Sequence, residues 1–361
     1  MNKPIRVLVI DDSAFNRRTL TRLLESIQGV EVVATATDGN EGLKQAMRLK
    51  PDLITLDLEM PVMDGFTFLR ILMRTSPTPV IVISSRGEDI NVFKAMELGA
   101  VDFIPKPTHL PSLALFDIKD ELAMKIKMLP HLQIDKVAKF EGKHQVSGIQ
   151  YPEERQEEPR AGYGTWDVVA VGSSTGGPPA LSAILPNFPE GFPASVVVSQ
   201  HMPPGFTKPF AERLNKICKI NVREAGDNEE VKGGEVLIAP GGCHLSFRRD
   251  SKGVVMTRLQ ERRGDDKYVP SVDIMFSSSA EVWGRRTIGV VLTGMGHDGK
   301  DGVVAIKEKG GYVMAESQET SIIFGMPESA IATGKVDEVV PLYDIGPRIV
   351  RRCAGDMLKR A

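Results

Sequence analysis

The sequence predicts an α/β protein made of two doubly wound parallel-sheet domains joined by a tether. Three observations carry this. Short apolar, β-branched runs alternate with segments of helical periodicity over residues 1–122, and the same alternation resumes at 165 and continues to 361. Between them, Tyr151-Pro-Glu-Glu-Arg-Gln-Glu-Glu-Pro-Arg160 is dense in charge and has too little apolar surface to build a core. A length of 361 residues also exceeds the usual size of one domain. The expected layout is therefore a first domain at 1–122, a tether at 123–164 and a second domain at 165–361.

In the first domain, Ile5 to Ile10, Val30 to Ala34, Leu53 to Leu56, Val80 to Ile83 and Val101 to Ile104 are the five strands of a parallel sheet. Ligands of such sheets collect at the carboxyl ends of the strands. There the chain places Asp11 and Asp12 after the first run, Asp57 after the third, Ser84 after the fourth and Lys106 after the fifth. Three carboxylates at one sheet edge repel unless a divalent cation joins them, and an all-oxygen set with open positions suits Mg²⁺. Asp also starts helices and ends strands for purely local reasons, but five correctly typed residues at separate strand ends rarely coincide. A helix is expected near Ile118 to Leu129, followed by the tether.

The second domain opens on Trp166-Asp-Val-Val-Ala-Val-Gly-Ser-Ser-Thr-Gly-Gly177, a buried-strand pattern running straight into a small-residue turn. Gly172-Ser173-Ser174-Thr175-Gly176 fits an elbow that lifts a serine hydroxyl to a sheet edge. The same letters suit a phosphate-binding loop or a plain tight turn. Pro178 to Leu185 reads as a helix, and Ala194 to Ser199 as a strand ending in Gln200-His201. Phe206 to Cys218 looks helical. Val236 to Ala239, Cys243 to Arg248 and Gly253 to Arg258 are short runs split by turn residues, which suggests an antiparallel addition. Ser271 to Val282 is a helix, and Thr287 to Leu292 a strand that leads into Thr293-Gly-Met-Gly-His-Asp-Gly299. A further helix, a strand at Gly311 to Ala315 and a closing helix near Leu342 to Leu358 complete the layers.

Ser174, His201 and Asp298 thus lie at the ends of three strands, the set that acyl transfer needs: a weak hydroxyl, an imidazole to take its proton and a carboxylate to orient that imidazole. Glycines around Thr175 and Met295 leave backbone N–H groups bare for an oxyanion. The order Ser, His, Asp excludes the α/β-hydrolase arrangement, in which the acid precedes the histidine. His297 competes as base but adjoins Asp298 at a turn, where neighbours rarely face each other; His244 is assigned to the hairpin. A dinucleotide site wants an acid ending the second strand, where this chain has Gln200.

Composition bounds the rest. A hydrophobic share of 42%, a charged share of 25% and a net charge of -2 describe an ordinary soluble protein with no polyanion-binding bias. Met1-Asn-Lys-Pro leads directly into a strand pattern, and no apolar run approaches the roughly 18 residues that span a bilayer, so a cytoplasmic protein without membrane insertion is expected. Cys218, Cys243 and Cys353 lack the spacing of a disulfide or zinc framework.

Two resemblances follow from these residues. Val-Ile-Asp-Asp-Ser13, Leu-Asp-Leu-Glu-Met-Pro61 with Asp64-Gly65, Ile-Ser-Ser85 and Phe-Ile-Pro-Lys-Pro107 resemble the response-regulator receiver family. That resemblance implies that Asp57 accepts a phosphoryl group from a histidine kinase, that Asp11, Asp12 and Asp57 hold Mg²⁺, and that Ser84 and Lys106 contact the phosphoryl oxygens. It also implies that Phe103 is the switch aromatic and that Lys106-Pro107 is a cis bond. Val-Gly-Ser-Ser-Thr-Gly-Gly177, Gln-His-Met-Pro203, Ala-Pro-Gly-Gly242 with His244, Pro-Ser-Val-Asp273, Leu-Thr-Gly-Met-Gly-His-Asp-Gly299 and Gly-Met-Pro-Glu-Ser-Ala-Ile331 resemble the chemotaxis protein-glutamate methylesterases (the CheB family). That resemblance implies hydrolysis of glutamyl methyl esters on the cytoplasmic domains of methylated chemoreceptors, deamidation of receptor glutamines, and no cofactor in the second domain. It assigns Ser174 as nucleophile, His201 as base, Asp298 as its orienter, and Thr175 and Met295 as oxyanion support. Val269 stands where the family pattern has arginine. The rival classes are a DNA-binding regulator, which would need a small basic effector domain, and a catalytically idle interaction module.

Overall fold

The computed structural model describes residues 3–84, 89–106, 113–134, 166–264 and 266–354. Most of the expected tether, and the Lys106-Pro107 bond, lie outside the described residues. Chain contacts separate two units, residues 1–141 and 142–361.

The first unit is a parallel five-stranded sheet in the order β2-β1-β3-β4-β5: β1 (Ile5–Ile10), β2 (Val30–Ala36), β3 (Leu53–Asp57), β4 (Val80–Ser84) and β5 (Asp102–Pro105). Its helices are α1 (Ala14–Glu25), α2 (Gly39–Leu49), α3 (Gly65–Thr75), α4 (Asp89–Glu97) and α5 (Leu113–Lys127). The helix expected from Ile118 therefore starts earlier, at Leu113. Local chemistry explains the helix starts: Ser13, Asp38 and Asp64 each cap one, with a side-chain oxygen accepting a first-turn N–H. Val7, Val9, Leu53, Ile81, Ile83 and Ile104 meet Leu20, Leu24, Ile118, Leu122 and Ile126 in one core. Gly65 follows β3 closely, and a Cβ there would come within 2.7 Å of the Leu58 backbone.

The second unit is a seven-stranded sheet in the order β14-β13-β12-β6-β7-β9-β8, parallel at every pairing. The strands are β6 (Val168–Ser173), β7 (Ser195–Gln200), β8 (Asn221–Glu224), β9 (Glu235–Ile238), β12 (Thr287–Val291), β13 (Tyr312–Glu316) and β14 (Glu338–Val340). The helices are α6 (Gly177–Ile184), α7 (Thr207–Ile217), α8 (Val272–Trp283), α9 (Lys300–Glu308), α10 (Gly325–Ile331) and α11 (Leu342–Ala354). The order reverses between β12 and β6, which makes their carboxyl ends the crevice of the fold. One assignment changes. The run at Val236 to Ala239 belongs to the main sheet as β9, parallel to β7 and β8; only β10 (Cys243–Arg249) and β11 (Val255–Glu261) form the antiparallel hairpin. A four-residue apolar run carries no direction, and the Pro240-Gly-Gly242 turn after it mimics a hairpin.

Leu245 and Phe247 of the hairpin join Met275, Phe276, Ala280 and Trp283 of α8 in the core beneath β6 and β7. Helix α8 lies against β6 because Gly172 has no side chain; a Cβ there would overlap Val272. That close approach carries the amino end of α8 to the ends of the central strands.

Candidate active site

In the first unit, the carboxylate oxygens of Asp11, Asp12 and Asp57 lie within 4.8 Å of one another. Lys106 Nζ donates to Asp57 Oδ2 at 2.7 Å. Asp57 and Ser84 are fully buried. Burial raises the Asp57 carboxyl above its usual range against the pull of Lys106. Burial and the neighbouring Asp57 charge push Asp11 up to about 6, and Asp11 Oδ2 has no hydrogen-bond partner among the described residues. A hard divalent cation fits this donor set, because it supplies the positive charge and the ligand that Asp11 lacks. Lys106 N–H donates to Ser84 O at 2.6 Å, which joins the ends of β4 and β5. Phe103 is buried within β5, edge-on to Phe93 at 6.4 Å, and its carbonyl accepts from Lys125 Nζ at 2.8 Å.

In the second unit, Ser173 and Gln200 are register partners, so Ser174 and His201 each lie one residue beyond the end of adjacent strands. The turn after β6 is closed from below. Gln200 Oε1 accepts from Ser173 Oγ at 2.7 Å, and Gln200 Nε2 donates to Ser174 O at 2.9 Å. A Cβ on Gly177 would overlap Gln200 Oε1. The glycine therefore makes room for the Gln200 side chain. Ser174 N–H donates to Thr293 O at 3.0 Å, while Ser174 Oγ makes no hydrogen bond among the described residues.

Asp298 is not at a strand end. It lies past Val291, the last residue of β12, in a loop that returns to the amino end of α8. Its Oδ2 meets His201 Nε2 at 2.7 Å and accepts Val272 N–H at 2.7 Å. Its Oδ1 accepts Ser271 Oγ and Asp273 N–H, both at 3.0 Å. Burial opposes ionisation of this carboxyl, but the His201 contact and the helix-end N–H groups outweigh it and bring it down to about 2. An ionised carboxylate only accepts, so His201 Nε2 carries a proton, and in the neutral ring Nδ1 is left as the basic nitrogen.

Asp273 is the counterpoint. Its Oδ1 accepts Gly302 N–H at 2.7 Å, and burial together with the Asp298 charge pushes its carboxyl up to about 7. Because the folded value is raised, this group weakens the fold progressively as pH climbs from about 4 to 7. Asp273→Asn keeps the acceptor and should raise stability above pH 7 by about 2 kcal/mol, with no gain below pH 4. Thermal melts of both proteins between pH 4 and 8.5 would read this out.

Around the turn after β12, a Cβ on Gly294 would lie 2.8 Å from Ser174 Cβ, so Met295 follows immediately after the contact with the serine. Met295 N–H has no acceptor among the described residues. Thr175 is buried, and its carbonyl accepts Thr293 Oγ1 at 3.0 Å. His297 is exposed and sits edge-on to Tyr268, with ring centroids 6.3 Å apart.

The structure thus gathers Ser174, Thr175, His201, Met295 and Asp298 in the second unit, and Asp11, Asp12, Asp57, Ser84 and Lys106 in the first. Sequence reasoning overlooked Tyr268, which stacks on His201, and gave no role at the site to Ser271 or to the buried His244 behind it, which it assigned to the hairpin. Ser271 had a signal, as a serine opening a helix with an acid two residues on; Tyr268 had none.

Comparison with known proteins identifies the family. Residues 169–349 match the CheB methylesterase family and residues 7–115 the response regulator receiver domain. A protein-glutamate methylesterase/protein-glutamine glutaminase of Geobacter sulfurreducens is 51% identical, over 97% of this chain and 98% of that protein. One from Myxococcus xanthus is 49% identical, over 96% of each. The crystal structure of the Thermotoga maritima CheB methylesterase catalytic domain shares 45% identity, covering 52% of this chain and 98% of that one, with a TM-score of 0.50. With the receiver match ahead of the methylesterase match, and relatives similar from end to end, the chain belongs to the CheB methylesterase family.

Proposed function

We propose that this protein hydrolyses methyl esters of glutamate side chains on the cytoplasmic domains of chemoreceptors, releases methanol, and deamidates receptor glutamines at the same site. The observation that carries the reading is the His201–Asp298 pair, 2.7 Å apart, with His201 one strand from Ser174 at the same level of the sheet. In the proposed cycle Ser174 Oγ attacks the ester carbonyl while His201 Nδ1 takes its proton. The Met295 N–H, one residue past the Gly294–Ser174 contact, serves the oxyanion, a donor typically worth about 3 kcal/mol of barrier. His201 then protonates the departing methanol. A water activated by the same imidazole releases the acyl group and restores Ser174. Asp298 holds the ring throughout and balances its charge.

Residues 1–122 act as the control domain in this reading, 123–164 as the tether and 165–361 as the hydrolase. Asp57 accepts a phosphoryl group from a chemotaxis histidine kinase; Asp11, Asp12 and Asp57 would hold Mg²⁺, which would supply positive charge beside the phosphoryl oxygens. Ser84 and Lys106 meet its oxygens, and Phe103 responds. The protein works in the cytoplasm and contacts neither nucleic acid nor the membrane interior; no described helix is long and apolar enough to cross a membrane.

The test is methanol release from methylated receptor cytoplasmic segments, with and without a small phosphodonor and Mg²⁺. Wild type should be activated by the phosphodonor, and Asp57→Asn should keep only basal activity. Mg²⁺ at 100 times its Kd should stabilise wild type by about 2.7 kcal/mol, and Asp11→Asn should lose most of that gain. Full activation of Asp57→Asn by the phosphodonor would exclude phosphorylation control at this residue.

A further inference from the structure

Between the hairpin and α8, residues 266–271 form a strap that crosses the catalytic histidine. One buried side chain grips both of its ends. His244 Nδ1 accepts the Ser271 backbone N–H at 3.1 Å, and His244 Nε2 meets Asp266 Oδ2 at 2.9 Å. An N–H can only donate, so His244 Nδ1 is the acceptor, and Nε2 carries the proton that Asp266 receives. The Asp266 carboxylate also accepts Arg263 N–H at 2.7 Å, and that bond, with His244, holds its pKa below the usual carboxylate range. At the strap's middle, the Tyr268 ring lies flat on the His201 imidazole, with centroids 4.7 Å apart and planes 8° from parallel. Gly296 makes room for it, since a Cβ there would overlap the Tyr268 hydroxyl. At its far end Ser271 Oγ donates to Asp298 Oδ1 at 3.0 Å.

The strap therefore touches both members of the His201–Asp298 pair, one through an aromatic face and the other through a hydroxyl. We propose that the strap is a positioning device for the catalytic imidazole: Tyr268 fixes the plane of the His201 ring, and His244 keeps Tyr268 in place by clasping Asp266 and Ser271. The physical need is specific. The carboxylate fixes one nitrogen of an imidazole but leaves the ring free to swing about that contact. Swinging would carry Nδ1 away from Ser174. A ring stacked on one face removes that freedom, and its π-face favours the imidazolium formed as the serine attacks.

This inference rests on the proposed function for its kinetic readout but not for its spectroscopic one. Tyr268→Leu, Tyr268→Phe and His244→Leu would be compared in the full chain by methanol-release kinetics, thermal melts and ¹H–¹⁵N spectra of ¹⁵N-histidine-labelled protein. Tyr268→Leu should lower kcat about tenfold, leave KM within about twofold, and broaden the downfield His201 Nε2–H resonance. Tyr268→Phe should keep that resonance and nearly all of kcat, because the stack needs the ring and not the hydroxyl. His244→Leu should reproduce the Tyr268→Leu signature on whatever fraction stays folded in the melt. An unchanged His201 resonance and kcat in Tyr268→Leu would overturn the proposal, as would a rise in KM at constant kcat, which would make Tyr268 a substrate contact. If Ser174→Ala kept its activity, the esterase reading would fail instead, and the resonance in that background would still report whether Tyr268 orders the ring.

Discussion

Ser174→Ala should reduce methanol release by about 10⁴- to 10⁶-fold in kcat, with little change in KM. The expectation is that large because neither neighbour can take over. Ser173 Oγ is fully buried and bonded to Gln200 Oε1, and Thr175 is 5% exposed beneath the turn. The fold should be indifferent. All the bonds that place Ser174 run through its backbone, from its N–H to Thr293 O and to its carbonyl from Gln200 Nε2 and Gly177 N–H. Removing an unbonded hydroxyl at a half-buried turn should change stability by less than about 0.5 kcal/mol. Loss of activity with an unchanged melt thus isolates the chemical role. Steady-state methanol release, paired with denaturant titration, measures both. A variant retaining a tenth of wild-type kcat would place the nucleophile elsewhere.

The parts of this protein that could be read from its residues are those where chemistry and strand position coincide. In the first unit, the candidate site residues follow apolar runs, so the parallel sheet delivers Asp11, Asp12, Asp57, Ser84 and Lys106 to one edge without further information. Ser174 and His201 were legible for the same reason. Asp298 was legible as a residue type but not as a position, because it is held by the amino end of α8 rather than by the end of β12. That depends on Gly172 admitting Val272 against β6, a packing relation between residues a hundred apart. Gln200 illustrates a half-legible case: its lack of charge argued against a dinucleotide, but its actual work, packing against Gly177 and bonding Ser173 and Ser174, needs coordinates. The direction of β9 and the clasp of His244 were hidden because a short apolar run and a lone histidine in a hairpin have many equally good local readings.

The same packing makes Asp298→Asn the most informative change after Ser174. We expect kcat to fall by about 10³- to 10⁴-fold with the backbone preserved. The carboxylate accepts four hydrogen bonds: Ser271 Oγ and Asp273 N–H on Oδ1, His201 and Val272 N–H on Oδ2. An amide offers one oxygen to these four donors. If its NH₂ faces His201, Nε2 must become an acceptor and the ring proton moves to Nδ1, which removes the base from the side of Ser174; Val272 N–H is left facing a donor as well. If the amide turns the other way, the donors at the start of α8 lose their acceptor. Stability should report this independently. The Asp298 carboxyl is lowered from 3.8 to about 2 in the folded chain. A depressed carboxyl contributes fully above its unfolded value and loses that contribution as pH falls through its folded one. Wild type should therefore exceed Asp298→Asn by about 2 kcal/mol at pH 7. The difference should shrink below pH 4 and vanish near pH 2. Melts across that range, alongside kcat, separate the two roles of one carboxylate: a stability gap without a kinetic one would leave Asp298 as a helix cap, and His201 would have to keep its tautomer by other means.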